Sequence, residues 1–495
     1  MLEAGKDSFQ LDWRWVERYR ELVAYDAYWW WAPAGPFTSE EQEQWQQWSS
    51  SAQDDVVKER LGTIIAQSRR RELHAALAVQ REPDLWYPAL DRHEVRRRIE
   101  GLVQLDAQID QHEPHVLVRQ LYHGAIEEEV CFLRLLEATA QGDNARFWEL
   151  TRRLDPMPTP EEMQEALMSL RRVLVQGWHH PETAAVSQSI LHLMRERFQL
   201  SLEPLGSKET DQETQPVVFP SAQQGSIVSA QAAKRFFETV LREHGFEGWQ
   251  VHIDPKASGP RVEAGLRQVF LQAHPISVER ITYYLAHELA GHVARAVAGE
   301  RSILGLLGIG TRGHLVTEEG LSLYQERQTM QAAGHPFDDS GIWFGILATG
   351  LASGVITPPQ TFLALAAFFE HVHFLFRRLK HLDADITSAQ EKARNAAFAR
   401  CVRTFRGVPH LEQPGICLTK DVVYQRGLRQ IERAVATDEH VLERLMVGKI
   451  ALEDVPMIEE LGIAPLAQSL YQLALQPDLD SYILSFEQQR PAKEV

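Results

Sequence analysis

The stretch Leu285–Arg295, L-A-H-E-L-A-G-H-V-A-R, constrains this chain more than any other. It lies inside "SVERITYYLAHELAGHVARAVAG", a helical pattern that starts at a capping Ser277 and stops at Gly299. His287, Glu288 and His292 are the ingredients of a metal-hydrolase helix, but their spacing is unusual. In H-E-x-x-H the two histidines are four residues apart, about 40° around the helix, and face one ion. Here they are five apart, which on a regular helix is about 140° and excludes a shared ion. Two outcomes follow. Either the histidines are unrelated helix residues, or the helix takes up the extra residue in a π-bulge, a distortion enriched at functional sites. Gly291 stands immediately before His292, and glycine tolerates such a distortion.

A catalytic zinc needs three protein ligands and one open position. "LVTEEGLSLYQER" (Leu315–Arg327) starts a second helix about 25 residues on and offers Glu318 and Glu319. Adjacent residues on a helix face different directions. One of the two acids is therefore the candidate ligand and the other a partner for a ligand or a helix-start acid. Two histidines and a carboxylate also describe iron(II) oxygenases. The glutamate beside the first histidine favours hydrolysis, because an oxygenase needs no base there.

The rest of the chain reads as mainly α with a small β-sheet, an α+β class. Residues 8 to about 203 are helical in pattern, with Thr159 and Pro160 opening one helix. "WQVHIDP" (Trp249–Pro255) and "VEAGLRQVFLQ" (Val262–Gln272) have strand character and precede the motif helix. The organisation expected is an N-terminal helical region over 1–205, a polar, Pro-interrupted linker over 206–228 and a catalytic domain over 229–495. The uncharged stretch 341–369 is split by Pro358 and Pro359 into pieces too short to span a bilayer, so two buried helices are expected. The cluster "YWWWAPAGPF" (Tyr28–Phe37) reads as packing anchors.

Charge narrows the function. The net charge is −17, which argues against nucleic acid and against anionic membranes as partners. His371–Gln430 is the exception, with eleven Lys/Arg against five Asp/Glu, a region suited to an anionic terminus. Three cysteines, Cys131, Cys401 and Cys417, lie at no metal spacing and suit a reducing cytoplasm. The first residues lack a signal pattern, so export is not expected.

The motifs carry a resemblance. "HELAGHVAR" followed by "TEEGLSLYQE" resembles the microtubule-associated tyrosine carboxypeptidase family and its bacterial relatives, the flavohaemoglobin expression-modulating proteins with a Q-E-G-L-A motif. "RTFRG" (Arg403–Gly407) and "LTKDVVYQRGL" (Leu418–Leu428) look like that family's late elements, and the likeness covers about residues 80 to 440. It implies a zincin-like zinc metallopeptidase, a carboxypeptidase acting on a peptide or protein C-terminus. By the resemblance, His287, His292 and Glu319 hold zinc and Glu288 is the general base for zinc-bound water. It implies Tyr424 as a hydrogen-bond donor to the oxyanion. Lys420, Arg403 and Arg406 become candidates to grip a substrate carboxylate, and Glu318 and Arg295 supporting residues. In zincins the strand before the motif helix lies along the cleft, which points to "GLRQVFLQ" (Gly265–Gln272) as the strand that pairs with the substrate. Ser322 stands where the family has Ala, Ala298 where an Asn is usual, and the first ~80 residues have no counterpart. H-E-L-x-G-H also resembles dipeptidyl peptidase III, whose E-E-C-R-A-E motif is missing here. A non-enzymatic helical regulator with a vestigial or structural metal site is the alternative. The substrate's identity and the oligomeric state are not written in these motifs.

Overall fold

The computed structural model describes residues 10–51, 54–202, 226–255, 257, 259–334, 337–380, 385–465, 470–476 and 478–488. Helices dominate and strands form two small sheets, one of two strands and one of three. This is the mainly α chain with a small β component that the patterning implies.

Local signals set the helix ends. Asp91 starts Arg92–His112 by accepting from the His93 and Glu94 amides. Thr159 and Glu162 close a reciprocal capping box at the start of Pro160–Trp178, with Pro160 in the first turn. Gly142 at φ 77° ends Val116–Gln141 in the left-handed conformation that glycine adopts without strain. The uncharged stretch forms two helices, Ser340–Ser353 and Phe362–Lys380, with Pro358 and Pro359 in the connection. No described helix is long and apolar enough to cross a membrane.

Most of the expected linker lies outside the described residues; its end, Ile227–Val228, is strand β1. The apolar core runs unbroken from Trp15 to Phe486, on both sides of that segment. The tryptophan cluster is divided in its roles. Trp30 and Trp31 are buried anchors, whereas Tyr28 is 72% exposed.

The strands are β1, β2 (Gln250–Asp254), β3 (Arg261–Glu263), β4 (Gln268–Gln272) and β5 (Ile276–Ser277). β1 pairs antiparallel with β5. The other sheet has the order β2-β4-β3, with β2 parallel and β3 antiparallel to β4. Two expectations change here. The segment 262–272 is not one strand, because residues 264–266 turn and Arg267 takes a left-handed φ of 54°. β4 is the central strand, paired with β2 along its length and with β3 over Gln268–Phe270, so it is not an open edge for a substrate there. β3, at the sheet edge, is the strand that reaches the cleft described below.

The motif helix begins where Ser277 caps the Arg280 amide and continues without a break through residues 278–300. Its middle, Leu285–Val293, is π-helical. The wider turn adds the residue that the five-residue histidine spacing demands. Gly291 keeps a helical backbone, since it is absent from the positive-φ glycines. What it supplies is room. A Cβ there would come within 2.9 Å of the Ser322 Cβ and overlap its hydroxyl. Ser322 lies on the helix His314–Ala332, the glutamate helix. On another face of that helix, a Cβ on Gly320 would come within 2.7 Å of the Gly427 Cα, on Val423–Thr437. The glutamate helix is therefore clamped between two others at near backbone contact.

These contacts make opposite predictions for neighbouring positions. Gly320→Ala forces two backbones apart and is expected to destabilise by about 1–3 kcal/mol. Ser322→Ala removes a buried hydroxyl that has no hydrogen-bond partner among the described residues. It is expected to be neutral or stabilising by up to about 1 kcal/mol. Urea unfolding of both variants checks the pair, and equal losses would contradict it.

Candidate metal centre

The π-helical turn turns His287 and His292 to one side, with ring centroids 5.2 Å apart. One donor atom each from His287, His292 and Glu319 lie within 4.8 Å of one another. Each histidine is held from behind by a carboxylate of the glutamate helix. His287 Nδ1 lies 3.1 Å from Glu326 Oε2, and His292 Nδ1 lies 2.7 Å from Glu318 Oε1. Both Nδ1 atoms are thereby used, which leaves Nε2 as each ring's remaining donor. Tyr283 stacks on His287 at 5.8 Å with the planes 14° apart and limits the ring's rotation.

Carboxylates set the electrostatics of the two histidines. Burial alone would lower the His287 pKa, but the Glu326 hydrogen bond and the charges of Glu288 and Glu326 outweigh it and lift the pKa to about 9. Burial also opposes protonation of His292, and Glu318 overcomes it in the same way. Burial pushes the Glu326 carboxyl up even beside His287, so that pair holds a proton. Glu318 is buried too, yet Lys449, His292 and Arg295 keep it well below the usual carboxylate range. Two nitrogens and one carboxylate oxygen, with carboxylates behind the nitrogens, fit zinc and leave room for a fourth ligand.

The centre opens into a cleft of about 1090 Å³, where Glu288, Tyr424, Arg400 and Arg403 stand with the three donors. Pro260, Arg261 and Val262, at and beside β3, line one side. On the other side a buried Asp421 accepts from Arg400 Nη1 at 2.9 Å and from Arg403 Nε at 2.5 Å. Arg403 Nη2 then donates to the Tyr424 hydroxyl at 3.0 Å. Two guanidiniums share one carboxylate, so this trio keeps a net positive charge on its side of the cleft. Burial, then the nearby Glu319 charge, pushes the Tyr424 pKa up to about 12, which keeps its hydroxyl protonated at neutral pH.

Not every candidate named from sequence reaches this cleft. Lys420 is exposed and is not among its lining residues. Arg406 lines a neighbouring chamber instead. Arg295 is fully buried and donates to the Gly448 and Ile450 carbonyls at 2.9 and 2.7 Å. It fixes the loop that carries Lys449 into the cleft lining. Sequence reasoning missed Glu326, Arg400, Asp421 and Lys449. Glu326 had a signal, being seven residues after Glu319 and so on the same helical face. Lys449 had none.

Residues 385–471 match the family model described as microtubule-associated tyrosine carboxypeptidase. The match includes Arg400, Arg403, Asp421, Tyr424 and Lys449 but stops short of the three donors, which precede it. No curated protein matches the chain.

The purified protein is expected to carry about one zinc per chain, lost in His287→Ala and Glu319→Ala. Glu318→Gln and Glu326→Gln should retain the ligands and weaken zinc affinity about 10–100-fold. Competition with a chromogenic chelator measures all four. Unchanged affinity in the last two would deny Glu318 and Glu326 a part in holding the rings.

Proposed function

We propose that this protein is a zinc-dependent peptidase of the carboxypeptidase type that acts on a peptide or protein C-terminus. The observation that carries the reading is the convergence of His287, His292 and Glu319, each histidine backed by its own carboxylate, in a cleft that also presents Glu288 and Tyr424. The partial family match supports carboxypeptidase chemistry. The helix that follows a small sheet and carries both histidines supports a zincin-like catalytic unit within residues 229–495, with the helices of 1–205 packed beside it.

When bound, zinc supplies the Lewis acidity that makes a water nucleophilic at neutral pH and polarises the substrate carbonyl. The chain's residues do the rest. Glu288, beside His287 on the cleft, accepts the proton of the attacking water and returns it to the leaving amine. The Tyr424 hydroxyl, oriented by Arg403, donates a hydrogen bond to the oxygen that becomes negative. The Arg400–Arg403 pair, only partly neutralised by Asp421, binds the substrate's terminal carboxylate. Among the described residues β3 pairs on one side only, which leaves an edge along which an extended peptide can lie.

Glu288→Gln is expected to keep its zinc and lose about 10²–10⁴-fold in hydrolysis of C-terminal peptide libraries. Tyr424→Phe should lower kcat by about 10²–10³-fold with little change in KM. Full activity in Glu288→Gln would eliminate the mechanism. A zinc-loaded wild type inert toward every free C-terminus would leave a structural metal site.

A further inference from the structure

One cation of the cleft, Lys449, has no part in the chemistry above. Its backbone is held on every side. The Lys449 amide donates to the Leu307 carbonyl at 2.8 Å, and its carbonyl accepts from the Thr311 amide at 3.0 Å. Arg295 donates to the carbonyls of Gly448 and Ile450, on either side of it. The next two amides, those of Ala451 and Leu452, donate to the Thr311 and Thr317 hydroxyls at 3.0 and 2.9 Å. Gly448 enters the turn at φ 148°, where a Cβ would come within 2.8 Å of the Leu307 Cβ and 3.0 Å of the Gly299 Cα.

The side chain carried by this pinned turn is left unspent. Lys449 is half-buried, and among the described residues its ammonium has no hydrogen bond and no ion pair. A donor without a partner on a backbone ordered in advance is the arrangement of a ligand contact.

Position narrows what the ammonium can touch. Thr317 ties the turn to the start of the glutamate helix, next to Glu318. Burial raises the Glu318 pKa, and the Lys449 charge is the foremost influence bringing it down. Tyr424 packs farther along that helix, against the cluster of Leu323 and Ile342, with Arg403 on its hydroxyl. Lys449 and the Arg403–Tyr424 pair therefore flank Glu319. With the terminal carboxylate on the arginines and the reacting carbonyl at the donor set, the peptide ahead of the cleaved bond runs toward Lys449. An acidic side chain there would also meet the charges of Glu288, Glu318 and Glu319, which line the same cleft. A neutral carbonyl meets no such repulsion.

Resting on the peptidase reading, we propose that Lys449 is a substrate-binding residue that grips main chain. Its ammonium donates to the carbonyl of the residue just ahead of the one whose carbonyl reacts. The contact is with backbone, so it fixes the depth of the peptide in the cleft whatever its sequence.

The test uses two peptides, each of three alanines and a C-terminal tyrosine. One is unmodified; in the other the carbonyl of the middle alanine is a thiocarbonyl, a poor acceptor of similar shape. Calorimetric titration uses the full zinc-loaded chain carrying Glu288→Gln, with and without Lys449→Met. Lys449→Met is expected to weaken the unmodified peptide about tenfold. The thioamide peptide should bind both proteins with the same, weaker affinity, so the two changes do not add. Lys449→Arg should restore most of the loss. In the active enzyme Lys449→Met should raise KM for the unmodified peptide and leave kcat unchanged. Equal weakening of both peptides, or of neither, overturns the contact. So does a fall in zinc affinity with no difference between the peptides, which would confine Lys449 to supporting Glu318. Hydrolysis by the wild type with additive effects removes the contact and leaves the peptidase. Non-additive effects without hydrolysis remove the peptidase and leave a cleft that binds peptide main chain through Lys449.

Discussion

The contact on which the rest depends is the close approach of the glutamate helix to the π-helical turn at Gly291 and Ser322. It sets the depth at which three carboxylates stand relative to two histidines. A helix pair separated by ordinary side chains runs 8–10 Å apart. A glycine at the crossing removes one layer of atoms and brings Glu318, Glu319 and Glu326 within reach of the rings. Gly320 and Gly427 repeat the arrangement on another face, so the glutamate helix has little freedom to retreat. Positional precision in this centre therefore comes from missing side chains as much as from hydrogen bonds.

That precision has an electrostatic cost. Glu318 and Glu326 are buried at 6% and 3% exposure, beside two largely buried histidines and near Glu288 and Glu319. Burying charge is unfavourable unless it is paired, and the pairing here is incomplete. Lys449 and Arg295 offset part of it from one side. The raised histidine pKa values show protons offsetting more. A divalent cation held by His287, His292 and Glu319, as proposed above, would perform that service without protons on the rings.

Much of this was legible in the sequence, for reasons that can be traced. The five-residue spacing of His287 and His292 required either two unrelated histidines or a widened turn, and residues 285–293 are the widened turn. Ser277, Thr159 and Ser229 cap their helices because a side-chain oxygen beside free amides is a local matter. Directions of side chains in irregular turns were not legible. Lys420 sits in the short 3-10 turn Lys420–Val422, where the next residue, Asp421, faces the arginines. Arg406 lies beyond the end of the helix that carries Arg403, and it shares the neighbouring chamber with Arg403 but not the metal cleft. β4 failed as a substrate strand because sheet order depends on long-range pairing, which alternation along one segment does not encode.

Arg295 bears on the time order in which the protein is made. Its guanidinium ties the motif helix to carbonyls 153 and 155 positions later in the chain. The motif histidines leave the ribosome long before residues 448–450 exist, and loop closure over such a separation is slow and entropically expensive. Until it occurs Arg295 has no carbonyls to receive its protons, and Lys449 is absent from Glu318. A nascent chain thus carries both histidines through about a third of its synthesis with the charge balance of the centre unfinished.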